Sequence, residues 1–117
     1  YIFALGKIDF VHIVSLLKET DIFCLPSEYP EGFPTSTLEA MACKCYPLVT
    51  PRGGARELIP TSEYGCVMEN GKKEVLKKYL KKILDQGEER LEITENGCRR
   101  IRERFTWGNV ADQVERL

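Results

Sequence analysis

Residues 21–59 read DIFCLPSEYPEGFPTSTLEAMACKCYPLVTPRGGARELI, and this stretch decides the fold. Asp21 to Leu25 is a short apolar run stopped by Pro26-Ser27, which predicts a buried strand. A loop rich in Gly, Pro and Glu follows, then a helical pattern over 36–44. Tyr46 to Val49 is a second apolar run. Gly53-Gly54 breaks the chain, and Ala55 to Ile59 predicts a short helix. Strands separated by helices imply a parallel sheet with helices on its faces, because parallel neighbours need a long crossover.

The same alternation extends both ways. Upstream, Ile2 to Leu5 is predicted as a strand. Asp9 is placed to cap a helix whose apolar face includes Phe10, Ile13, Val14 and Leu17. Downstream, Cys66 to Met68 is a short strand. Val75, Leu76, Tyr79, Leu80, Ile83 and Leu84 recur at helical spacing, while Lys73, Lys77, Lys78, Lys81 and Lys82 fall mostly on the other side as a solvated face. A helix around 88–105 ends near Phe105. Thr106 then caps a final helix anchored by Trp107, Val110, Ala111 and Val114. Without repeats, low-complexity tracts or a clear linker, residues 1–117 are expected to form one α/β domain with a Rossmann-like parallel sheet.

Composition excludes several function classes. A formal charge of -1 with 30% charged residues leaves no electrostatic footprint for nucleic acid. No apolar run is long enough to span a bilayer, and no signal peptide is evident. The five cysteines (Cys24, Cys43, Cys45, Cys66 and Cys98) are odd in number and lack paired CxxC spacing, so reduced thiols of a cytosolic protein are expected. Cys43 and Cys45 find no second Cys or His pair to complete a metal site, and no bound metal or cofactor is expected.

In a parallel sheet, ligands collect beyond the carboxyl ends of the strands, which places a site in loop 27–35. Gly32 lets backbone approach a ligand, and Pro34 stiffens the entry to the helix. Thr35 to Leu38 present free backbone N–H groups at a helix start, where unpaired donors and the helix dipole both favour an anion such as phosphate. Ser36-Thr37-Leu38-Glu39 also reads as a capping box, with Ser36 as cap and Glu39 three residues on. Glu31 has no such local role, and a carboxylate in that loop can accept hydrogen bonds from sugar hydroxyls.

At these residues the chain resembles the C-terminal half of the retaining GT-B glycosyltransferases, the group 1 or family 4 type that includes glycogen and sucrose-phosphate synthases. That family is marked by a Glu, seven intervening residues and a second Glu, here Glu31 and Glu39. Pro26-Ser27 before the pair, the run Glu39-Ala40-Met41-Ala42 that closes it and follows on, and Gly53-Gly54 with Glu57 in the next loop match as well. The closing FTWGNVADQVERL, residues 105–117, is similar to the family's last helix. The resemblance covers nearly the whole chain.

It implies that Glu31 contacts donor-sugar hydroxyls near the reacting centre. Gly32, Phe33 and Pro34 would lie along the sugar and diphosphate. Amides of Thr35, Ser36 and their neighbours would hold the distal phosphate. Glu39 would reach the ribose, and main chain near Ile8 the base. The substrate implied is a UDP-, GDP- or ADP-linked sugar, and the acceptor a glycan, lipid or small molecule bound by an N-terminal domain that precedes residue 1. The family's basic residues for the diphosphate also fall there, and neither Lys44, Arg52 nor Arg56 matches their positions. His12, on the polar side of its helix, is not expected to take part.

The same comparison predicts a partial C-terminal domain, truncated on its N-terminal side and inactive alone. Strand 2–5 would be the sheet's far edge and strand 22–25 central, with two strands missing between them, so either a strand-exchanged or edge-paired oligomer or a re-paired first strand at a rearranged edge is expected. A cytoplasmic place is expected, with peripheral attachment to the membrane left to the missing domain. Two departures stand out. Lys44 occupies a helix end where the family usually has Gly, and Glu28 offers a shifted register for the sugar contact. The alternative to an enzyme is a non-catalytic nucleotide-binding or interaction domain of the same fold.

Overall fold

The computed structural model describes residues 6, 9–29 and 35–105. The elements run α1 (Phe10–Lys18), β1 (Ile22–Leu25), α2 (Thr35–Ala42), β2 (Tyr46–Val49), α3 (Ala55–Leu58), β3 (Cys66–Val67), α4 (Lys73–Asp85) and α5 (Glu88–Arg104). The strand expected at 2–5, the helix expected after Thr106, Ile8 and residues 30–34 lie outside the described part.

The three described strands form a parallel sheet in the order β1-β2-β3, with helices on its faces as the alternation predicts. Ile22 pairs with Tyr46 and Leu25 with Val49 on one side of β2, and Leu48 pairs with Cys66 on the other. All four residues of β2 are buried, the pattern of a strand covered on both faces. Its side chains alternate accordingly. Val49 joins Met41, Leu58 and Ile101 from α2, α3 and α5, whereas Tyr46 and Leu48 join Met68, Ile83 and Ile93 beneath α4. A third cluster, Leu17, Ala40 and Cys45, ties α1 to the end of α2.

Pro47 sits in the central strand, where a residue without an N–H is normally excluded. The chain accommodates it at Gly65, the residue just before β3. A β-carbon on Gly65 would fall on the Pro47 ring, and Gly65 has φ 152°. The β2–β3 ladder pairs Leu48 and Val49 but not Pro47.

The end of α2 is a Schellman turn. Cys45 N–H donates to Ala40 C=O at 3.0 Å, and Lys44 N–H to Met41 C=O at 3.1 Å. Lys44 takes the left-handed position, φ 64°, that glycine usually fills. The start of α2 differs from the sequence reading. The helix already includes Thr35, so Ser36 lies inside its first turn, and no hydrogen bond joins Ser36 to Glu39 as a capping box. Asp9 stands at the N-cap of α1 with extended backbone, yet its carboxylate makes no cap bond and lies 3.8 Å from His12 Nδ1. The lysines of α4 are exposed as expected, and Lys78 pairs with Glu69 at 3.3 Å. None of the described helices is long and apolar enough to cross a membrane.

Candidate donor-binding site

Each described strand ends at the same edge of the sheet, and each is followed by a loop that turns across that edge. The loop after β1 leaves through Pro26, Ser27 and Glu28. It is tied to the next by Thr50, whose hydroxyl donates to Ser27 C=O at 2.5 Å while its N–H donates to Leu25 C=O at 3.3 Å. Thr50 is buried, and burial makes such side-chain bonds to backbone costly to lose. The loop after β2 carries Arg52, whose Nη2 donates to Glu28 Oε2 at 3.3 Å. The turn after β3 brings Gly71, whose N–H donates to Glu28 Oε1. Asn70 Oδ1 accepts from Lys72 N–H at 2.9 Å and shapes the entry to α4.

The helix start that the sequence singles out faces this edge. Thr35 and Ser36 are exposed in the first turn of α2, and Glu39 is half-buried one turn further on. Thr37, between them, is fully buried, and its Oγ1 has no hydrogen-bond partner. Of the other residues expected in the site, Glu31, Gly32, Phe33, Pro34 and Ile8 lie outside the described residues. The structure thus brings Thr35, Ser36 and Glu39 together on one helix end, and adds a cluster that sequence reading did not assemble: Glu28, Arg52 and Gly71. Only spacing could have flagged it, since Glu28, Arg52 and Gly71 each follow a strand end by three or four residues.

His12 lies apart from this edge, exposed on α1. All five cysteines are free. Burial pushes the Cys45 thiol up to about 11, and its Sγ–H donates to Leu17 C=O at 3.1 Å, so it is a packing residue and not a nucleophile. No cluster of three metal-ligating side chains occurs among the described residues. A cavity of about 380 Å³ opens elsewhere, near the amino ends of β2 and β3, between Tyr46, Arg56, Cys66, Lys82 and Gln86. Its lining includes none of Glu28, Thr50, Arg52 and Gly71.

Residues 2–100 match the family model of the glycosyl transferases group 1. The chain belongs to that family. Among curated glycosyltransferases, it is 33% identical over 121 residues to the MMP alpha-(1->4)-mannosyltransferase of Mycolicibacterium hassiacum, covering 94% of this chain and 29% of that protein. Among solved structures, the sucrose-phosphate synthase of Thermosynechococcus elongatus superposes with a TM-score of 0.85 at 26% identity, covering 96% of this chain and 28% of that one. The C-terminal domain of a glycosyl transferase group 1 family protein from Francisella tularensis gives a TM-score of 0.78 at 29% identity, over 88% of this chain and 53% of that one. These likenesses give the domain the C-terminal fold of the GT-B glycosyltransferases. The glycosyltransferase domain spans under a third of the length of the curated relatives it matches.

Within this family frame, Arg52 belongs to a bridge with Glu28 and not to a free basic grip on an anion. The same bridge bears on the choice of sugar contact. One carboxylate oxygen of Glu28 is taken by Gly71 and the other by Arg52.

Proposed function

We propose that the chain is the donor-binding part of a retaining glycosyltransferase of the E-x7-E type, transferring a hexose from a nucleoside-diphosphate sugar to a glycan, lipid or small-molecule acceptor. The observation that carries the reading is the start of α2. In a chain of this family, a helix opens at Thr35 beyond the carboxyl edge of a parallel sheet, with Thr35 and Ser36 exposed. Its free amides meet the diphosphate, Glu39 meets the ribose, and main chain near Ile8 meets the base. Glu31, with Gly32, Phe33 and Pro34, meets the sugar. The engagement of Glu28 by Gly71 and Arg52 favours Glu31 for that contact, and Glu31 alone keeps the seven-residue spacing to Glu39.

In the reaction, the anomeric carbon loses its bond to the diphosphate oxygen and gains one to the acceptor oxygen on the same face. The departing diphosphate takes the acceptor proton. Glu31 positions and stabilises the sugar without attacking it. The sequence holds no Asp-x-Asp pair, and charge on the leaving group is met by helix amides and basic side chains of the whole enzyme, without a metal. The acceptor is read by a second domain, in a cytoplasmic enzyme.

The deciding experiment is turnover of the full-length gene product against UDP-, GDP- and ADP-linked sugars, with the anomeric configuration of the product read by NMR. Transfer with retained configuration is expected. Inverted configuration would remove the retaining mechanism. Absence of turnover and of nucleotide binding with every donor would leave a non-catalytic domain of the same fold.

A further inference from the structure

We propose that Glu28 is a positioning residue for the donor, acting as a latch that holds together the loops leaving the carboxyl ends of all three described strands. The proposal rests on the donor-site reading above. Glu28 lies three residues beyond β1, Arg52 three beyond β2, and Gly71 four beyond β3. One carboxylate joins them: Oε1 accepts the Gly71 N–H across 43 positions of sequence, and Oε2 accepts from Arg52 across 24.

The packing around the latch is built for it. A β-carbon on Gly71 would collide with the Pro26 carbonyl oxygen and come within 3.0 Å of Glu28 Oε1, so only glycine lets this turn come so close. Arg52 is held with its Nε buried and without a hydrogen-bond partner, an arrangement that solvation would not choose unprompted. Thr50 fastens the preceding residue from below through Ser27 C=O.

Position gives the latch its role. The Glu28 and Arg52 side chains are 46% and 39% exposed, so their pairing is screened and contributes little to global stability. Its effect is local. Glu28 is the third residue before Glu31 in the sequence, and fixing it fixes the point from which the chain leaves the strand edge toward Glu31. A displacement of about 1 Å there is enough to misplace a sugar-binding carboxylate and cost as much as a hundredfold in rate.

The test uses the full-length gene product with its best nucleotide sugar, and three variants: Glu28→Ala, Glu28→Gln and Gly71→Ala. Each is measured for kcat and donor KM, for amide exchange at Gly71, and for its urea midpoint. Glu28→Ala is expected to lower kcat/KM for the nucleotide sugar about tenfold, to deprotect the Gly71 amide, and to leave the urea midpoint nearly unchanged. Glu28→Gln is expected to recover most of the loss, because its amide oxygen still accepts the Gly71 N–H. Gly71→Ala is expected to reproduce the loss with Glu28 intact. Unimpaired kcat/KM in Glu28→Ala overturns the proposal. A loss that Glu28→Gln does not repair, together with a fully active Gly71→Ala, also overturns it, by making the carboxylate itself the sugar contact. A wild-type gene product that turns over no nucleotide sugar removes the donor reading and the latch's role with it, whereas an active wild type beside an unimpaired Glu28→Ala removes only the latch.

Discussion

Lys44 holds a left-handed backbone, φ 64°, and its Nζ lies 2.9 Å from Glu95 Oε1 on α5. The ion pair fastens the end of α2 to a neighbouring helix, at a position where a side chain is conformationally disfavoured. The two side chains are 50% and 55% exposed, so water and salt screen the attraction. The backbone cost of a non-glycine residue in this region, about 1 kcal/mol, is not screened. Lys44→Gly is therefore expected to stabilise the domain by about 0.5–1 kcal/mol, read as a shift in urea midpoint. Lys44→Ala keeps the strained β-carbon and loses the pair, and should destabilise. In the Lys44→Gly background, where Arg99 and Arg102 remain as its cationic neighbours, Glu95→Gln should have a smaller effect than in the wild type.

A second carboxylate makes a pH-dependent prediction. Glu69 is held below its ordinary value of 4.5, first by a bond to its own backbone N–H and then by the Tyr79 hydroxyl, which donates at 2.8 Å. The same bond raises the Tyr79 phenol above its ordinary 10.0. The signs follow from linkage. A depressed carboxyl contributes stability above its unfolded pKa, and this is lost as pH falls through the folded value. A raised phenol contributes stability below its unfolded pKa, and this is lost as pH rises through the folded one. The contact is at full strength between about pH 5 and pH 9. Tyr79→Phe should raise the Glu69 pKa in a carbon-detected NMR titration and flatten the acid limb of stability. An unmoved Glu69 titration would show that its own backbone and Lys78 account for the whole shift.

Much of this arrangement was legible from apolar spacing alone. The runs at 22–25 and 46–49 and the stripe along 75–83 gave parallel strands and a covering helix, because burial on one face leaves a period in the sequence. Lys44 could be singled out because helix ends demand a particular backbone. What spacing did not reveal is contact between loops. Glu28 reads in sequence only as a shifted-register rival to Glu31, until Gly71, 43 positions on, is seen to donate to it. Arg100 reads as one charge among many on α5, yet its guanidinium donates to Leu58 C=O at 3.2 Å and Glu57 C=O at 2.7 Å and lies over the Tyr64 ring. It closes the end of α3, a four-residue helix that cannot satisfy its own last carbonyls. The capping box failed for a smaller reason, since a helix beginning at Thr35 puts Ser36 past the cap position.

Gly65 makes the sharpest packing prediction. Alanine there would put a methyl group into the ring of Pro47, which is rigid, and would hold a φ of 152° that L-residues rarely adopt. Overpacking and backbone strain add, and Gly65→Ala is expected to cost about 2–4 kcal/mol of stability. Pro47→Ala removes the ring, and should recover part of that loss in the double variant. Independent, additive effects in the double-mutant cycle would show that the two residues do not press on each other.

The two glutamates that frame the proposed donor site should separate cleanly by mutation. Glu39 is half-buried on α2 beside fully buried Thr37 and Ala40, so its loss disturbs packing as well as ligand contact. Glu39→Ala in the full-length gene product is expected to weaken nucleotide binding about tenfold, the scale of a lost charge-assisted hydrogen bond, and to lower the urea midpoint measurably. Glu31→Ala, between Gly- and Pro-rich flanks in the sequence, should leave the midpoint nearly unchanged. Because its carboxylate is assigned to the sugar as the anomeric bond breaks, the loss should fall on turnover, by about a hundredfold or more, with affinity for the bare nucleoside diphosphate retained. Full turnover in Glu31→Ala would end its assignment. Equal loss of nucleoside diphosphate binding in both variants would mean that the two acids act on the same part of the donor, and that the division of sugar and ribose between them is wrong.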